Sequence, residues 1–166
     1  TEIAKARVPI EPYFSTQPNF AEQHADYYWQ KLSEACQQLW HTSDITPAQI
    51  AGVSLATQRY TMICLDGDKQ PLRPAIVWMD LRRGEPNDIG LLSPLTKIIG
   101  MGELVQEAQQ KARCNWLAHH EPEMWAKTAH YVNLSAYLTY QLTGELADST
   151  GHALGYLPYD YKAQTW

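Results

Sequence analysis

The chain has 166 residues, 45% of them hydrophobic and 19% charged, with a formal net charge of −5. These are the proportions of an ordinary globular protein, and at this length about 70% of the unfolded surface can be buried around one core. The acidic balance excludes a general nucleic-acid binder, which needs a basic face to neutralise phosphates, and no apolar run approaches the ~20 residues of a membrane-spanning helix.

No secretory signal is visible, and the first residue is Thr1 rather than Met, so the natural start is expected upstream. Cys36, Cys64 and Cys114 form no C-x-x-C pair and read as reduced, mostly buried thiols of a cytoplasmic protein.

Taken in chain order, Ala4, Ala6, Val8 and Ile10 alternate with polar residues and predict a strand. Glu11 to His24, with two prolines, reads as a loop. Ala25, Tyr28, Trp29, Leu32, Cys36 and Leu39 share one stripe of a helix from Ala25 to Trp40. Thr46-Pro47-Ala48-Gln49 has the cap, proline and glutamine of a one-turn helix with a capping box. Strands are predicted over Ile50–Ala56 and Tyr60–Leu65, the second ending in the turn Asp66-Gly67-Asp68. Ala75–Trp78 reads as a strand buried on both faces. Beyond it, helices are predicted over Leu91–Ile99, Glu103–Ala118 and Pro122–Lys127, then a strand over Ala129–Val132. Asn133 is placed to cap a final helix stopped by Thr143-Gly144. The tail carries only weak strand signals, at Leu146-Ala147 and Tyr156-Leu157. Strands and helices mixed in one unit predict an α/β or α+β domain.

Three stretches put polar groups where strands or helices end. In Thr57-Gln58-Arg59-Tyr60, Arg59 offers a rigid fork of donors and Gln58 both donor and acceptor, which suits a polyhydroxylated ligand. The alternative is that Arg59 pairs with a nearby acid and Gln58 satisfies turn backbone. In Trp78-Met79-Asp80-Leu81-Arg82-Arg83, Trp78 can stack on the apolar face of a sugar and Asp80 can accept from its hydroxyls. A core tryptophan followed by a surface ion pair reads the same residues equally well. The third stretch, Asp148-Ser149-Thr150-Gly151, is most simply a turn held by side-chain oxygens. No two of the six histidines have the i, i+4 spacing of a helical metal site, and no G-x-G-x-x-G, P-loop or G-x-S-x-G motif occurs. These residues are compatible with a polar-ligand site and give no reaction.

The same stretches resemble the FGGY carbohydrate kinases, which include glycerol kinase, xylulokinase and ribulokinase. Pro18-Asn19-Phe20-Ala21-Glu22-Gln23 is similar to the family's P-G-W-x-E-Q/H, with Asn19 in place of Gly. Ile50 to Arg59 is similar to I-x-x-I-G-I-x-x-Q-R, and Pro71 to Arg82 to P-L-x-x-A-I-x-W-x-D-x-R. Trp116-Leu117, Glu121 to Trp125, Tyr137 to Gly144, Asp148 to Ala153 and Tyr159 to Trp166 follow in family order.

The resemblance implies an actin-like ATPase (ribonuclease-H-like) lobe, a mixed sheet flanked by helices. It implies transfer of the γ-phosphoryl of ATP, with Mg²⁺, to a sugar or polyol hydroxyl, this chain supplying part of the sugar-binding lobe. Arg59 matches the arginine that contacts substrate hydroxyls in glycerol kinase and Trp78 its stacking tryptophan. Gln58 and Asp80 match positions lining the same cleft. Tyr60 stands where glycerol kinase has a glutamate that binds glycerol, and no match to its substrate tyrosine is found near Ala108; both departures argue against glycerol itself. The D-x-G-T phosphate loop is expected before Thr1 and the general-base aspartate beyond Trp166, so the chain alone is expected to be inactive. A homodimer is the assembly the family suggests. A non-catalytic, sugar-binding or regulatory relative of the same fold is the alternative.

Overall fold

A computed structural model describes residues 1–87, 90, 96, 98, 100–153, 160, 162, 163 and 165. In chain order the elements are β1 (Glu22–Gln23), α1 (Ala25–Thr42), β2 (Met62–Leu65), β3 (Ala75–Ile76), α2 (Gly102–Lys111), α3 (Arg113–His120), α4 (Pro122–Lys127), β4 (His130–Asn133) and α5 (Leu134–Thr143). Short 3-10 turns lie at Pro47–Gln49 and Thr150–Ala153.

The strands form one sheet in the order β1-β3-β2-β4. Every described pairing is antiparallel, with Gln23 opposite Ala75, Met62 opposite both Ile76 and Asn133, and Leu65 opposite His130. The mixed sheet expected above is therefore antiparallel among the described residues. β2 and β3 are joined by a turn in which Asp66 Oδ1 accepts from the N–H groups of Asp68 (2.9 Å) and Gln70 (2.8 Å). The two further strands predicted, Ala4–Ile10 and Ile50–Ala56, pair with no described segment. Alternation marks a chain able to lie on a sheet, but a strand exists only where a neighbour completes its hydrogen-bond ladder. Val53 is accordingly 77% exposed.

The period-two alternation of β2 divides the core. Ile63 and Leu65 point to one face, where Ala25 and Tyr28 of α1 and Leu134, Tyr137 and Leu138 of α5 close over them. Cys64 and Ile76 point to the other, against Leu117 of α3, with Trp116, Met124 and Trp125 around them. The expectation that Ala75–Trp78 is buried on both faces holds for Ala75, Ile76 and Val77 and fails at Trp78, which is 53% exposed. Cys36 is exposed, Cys64 buried and Cys114 half-buried, all as free thiols.

The predicted helix Glu103–Ala118 is two helices, broken at Ala112 (φ −70°, ψ 108°). The carbonyl of Gln110 takes the N–H of Gly84 at 2.8 Å, where a continuous helix would have taken that of Cys114. Gly84 itself lies so close to Trp116 that an added Cβ would come within 2.9 Å of its backbone nitrogen. β1 falls inside the predicted loop because its residues are polar: Glu22 and Gln23 are buried as an ion-pair partner and a hydrogen-bonding amide. Asn133 occupies the N-cap of α5 without a side-chain cap bond; the helix is continued from the sheet by Leu134 N–H donating to Thr61 O at 2.9 Å. Gly144 ends α5 at φ 78°, a left-handed position that favours glycine. Leu146-Ala147 is not a strand. Leu91–Ile99, apart from Thr96 and Ile98, and Tyr156-Leu157 lie outside the described residues.

Candidate functional site

One large cleft, of about 1990 Å³, opens where the strand ends, α2, α3 and the turn after α5 meet. It gathers all three polar stretches: Gln58, Arg59 and Tyr60, then Trp78 and Asp80, then Asp148, Ser149 and His152. Arg59 and Trp78, the two residues on which a carbohydrate reading depends, line the same hollow.

The side chains in that hollow are in different chemical states. Arg59 is exposed and has no ion-pair partner among the described residues; its guanidinium lies 5.8 Å from the centroid of the Tyr60 ring. The acid partner weighed for it is therefore absent there. Gln58 donates through Nε2 to the Tyr28 hydroxyl at 3.3 Å, so it serves a side chain of α1 and not turn backbone. Burial pushes the Tyr28 phenol above its ordinary pKa, and the Gln58 hydrogen bond partly counters that. Tyr60 lines the cleft with its backbone at φ 61°, a left-handed conformation unusual for an aromatic residue. Trp78 is neither a core residue nor stacked on a neighbouring ring among the described residues.

Asp80 departs from its expected role. Its side chain is fully buried: Oδ2 accepts from Ala21 N–H (2.7 Å) and Arg82 Nη2 (2.7 Å), and Oδ1 accepts from Arg82 Nε (2.8 Å) and Arg82 N–H (3.0 Å). A carboxylate so engaged holds the wall of the cleft in place and has little left for a ligand hydroxyl. Arg82 also reaches Glu22 at 2.7 Å, Glu22 pairs with Arg73, and Arg73 reaches Glu121 at 3.1 Å. The ring centroids of Phe20 and Trp116 lie 3.8 and 4.5 Å from the Arg82 guanidinium carbon, facing a cation whose Nη1 has no hydrogen-bond partner among the described residues. Burial acts against the charge on Arg82, but the hydrogen bonds of Asp80 and Glu22 prevail and raise its pKa.

Arg113, the first residue of α3, was not singled out from the sequence. Its Nη2 donates to the carbonyls of Trp78 (3.1 Å), Val77 (3.3 Å) and Asp80 (3.4 Å), clamping the turn that presents the indole. Only the helix break at Ala112 aims it there, so no local signal marks it. The backbone at Asn19, where the motif has glycine, sits at φ 71°. Asparagine is among the few residues that tolerate this conformation, and its carbonyl accepts from Leu81 N–H at 2.9 Å, tying β1's approach to the Trp78 turn.

Comparison with known proteins gives the family. The profile of the FGGY family of carbohydrate kinases, N-terminal domain, matches residues 1–166, and the chain belongs to that family. It is 28% identical over 162 residues to a xylulose kinase of Bacillus subtilis, covering 93% of this chain and 31% of that protein. It is 26% identical over 160 residues to a glycerol kinase of Thermococcus gammatolerans, covering 93% and 32%. A gluconate kinase structure from Lactobacillus acidophilus superposes with a TM-score of 0.71 at 21% identity, covering 93% of this chain and 31% of that one, and shares its fold. The fold is the α/β, actin-like ATPase fold of those kinases. The chain thus spans about a third of the length of the relatives it matches.

Proposed function

We propose that this chain is the sugar-binding part of a two-lobe kinase that transfers the γ-phosphoryl of ATP to a hydroxyl of a sugar or polyol. The observation that carries the reading is the pairing, in one cleft, of an arginine with no acid partner among the described residues and a half-exposed tryptophan. A sugar ring or chain presents C–H faces and hydroxyl edges together. The Trp78 indole suits the first, and the Arg59 guanidinium, with Gln58 and Tyr60, suits the second. Asp80 acts in this reading by fixing the Trp78 turn from below. The matched relatives are named as kinases of xylulose and glycerol, and a fold neighbour as a kinase of gluconate, which defines a panel of acyclic or ketose polyols.

The residues that hold ATP and Mg²⁺ and the general base are proposed to belong mostly to the rest of the protein. What this chain supplies is orientation, which is a large share of the work in phosphoryl transfer, where positioning and charge stabilisation dominate.

The test is ADP release by the two-lobe protein with xylulose, glycerol, gluconate and other pentuloses, hexuloses and polyols. Turnover with at least one is expected, with KM raised about tenfold or more in Arg59→Ala and Trp78→Ala. No turnover with any member of the panel overturns the reading.

A further inference from the structure

The turn after α5 carries a built hydrogen-bond cluster that the reading above does not use. Asp148 Oδ1 accepts from three groups: Ser135 Oγ at 2.8 Å, the N–H of Ser149 at 2.8 Å, and His152 Nδ1 at 2.6 Å. Ser135 is buried on the second residue of α5, whose apolar face is part of the core, so the carboxylate is tied to a rigid element. Ser149 Oγ accepts from Gly151 N–H at 3.2 Å and tightens the same turn. The imidazole is thereby fixed, with its side chain only 18% exposed.

A carboxylate on Nδ1 selects the tautomer in which Nδ1–H donates, and a neutral ring then carries its lone pair on Nε2. No described residue bonds Nε2, and His152 lines the same cleft as Arg59 and Trp78. Arg59 brings only donors to that cleft, and the Asp80 carboxylate is consumed by Arg82. A sugar hydroxyl donates as well as accepts, so an acceptor on a fixed ring complements the guanidinium.

We infer that His152, oriented by Asp148, is a specificity-determining contact that accepts a hydrogen bond from one hydroxyl of the sugar or polyol substrate. This rests on the carbohydrate-kinase reading and deepens it. Asp148 is a positioning residue in this scheme, acting through the imidazole.

The experiment uses the two-lobe protein and its best substrate from the panel, together with the set of single-deoxy analogues of that substrate. His152→Ala is expected to raise KM about tenfold for the substrate. For the one analogue that lacks the contacted hydroxyl, the variant and the wild type should have equal KM. His152→Gln, which keeps an acceptor of similar reach, should recover part of the loss, and Asp148→Asn should fall between wild type and His152→Ala. An unchanged KM in both His152 variants overturns the inference and leaves the kinase reading standing, as does an equal rise for the substrate and every analogue. A wild type that neither binds nor turns over any sugar overturns both.

Discussion

Two arginines stand within a few residues of the two central strands, and their surroundings could hardly differ more. Arg82 is buried, bonded to Asp80 and Glu22, and faced by two aromatic rings. Arg59 is exposed to the cleft and has no acid partner among the described residues. Both look alike in the sequence, each an arginine closing a polar motif, Gln58-Arg59 and Asp80-Leu81-Arg82. The difference teaches that charge has been divided here: one guanidinium is spent on holding the wall, and the other stays open to the cleft. Burial decides which is which. A desolvated cation is tolerated only against opposite charge, here two carboxylates, with ring faces over the remaining nitrogen, whereas a cation open to water can exchange water for a ligand at modest cost.

The largest predicted effect breaks the buried side of this comparison. Arg82→Ala leaves two carboxylates without their shared cation and is expected to destabilise the chain by about 3–5 kcal/mol, read as the shift in a urea-unfolding midpoint. Loss of less than about 1 kcal/mol, the range of an exposed ion pair, would mean the network is not the support described. Arg113→Met is the intermediate case. It removes the clamp on the carbonyls of Val77, Trp78 and Asp80, and in the two-lobe protein it should raise KM for the sugar several-fold while leaving KM for ATP unchanged. Its Lys counterpart, which restores a donor, should recover part of the loss; a parallel rise in both KM values would refute a local positioning role. The smallest effect sharpens the open side. Arg59→Ala should change folding stability by no more than about 0.5 kcal/mol, as surface substitutions do, while sugar binding is expected to weaken. A large stability loss would show that Arg59 serves packing after all.

Much of the chain's architecture is written locally. The helix Ala25–Thr42 follows from its apolar stripe, and Pro122–Lys127 from a proline at its first position. The stop at Gly144 follows from a residue that accepts positive φ. The capping box at Thr46–Gln49 forms as read, with Gln49 Oε1 accepting from Thr46 N–H at 2.8 Å. Local periodicity and cap chemistry act over one or two turns, so one sequence suffices to see them. The strands at Ala4–Ile10 and Ile50–Ala56 did not form because pairing is a property of two segments. β1 was hidden because its buried residues are charged or amide-bearing.

The sequence by itself determined the candidate ligand groups Gln58, Arg59, Tyr60 and Trp78, since their chemistry is intrinsic to the side chains. Only the tertiary structure decided that they share a cleft with His152. It also decided that Asp80 turns inward to Arg82 and that Arg113 reaches across from α3 to hold the Trp78 turn. The physical reason is distance along the chain: a hydrogen bond between residues 33 to 36 positions apart, as Arg113 makes, leaves no periodic trace in either partner's neighbourhood.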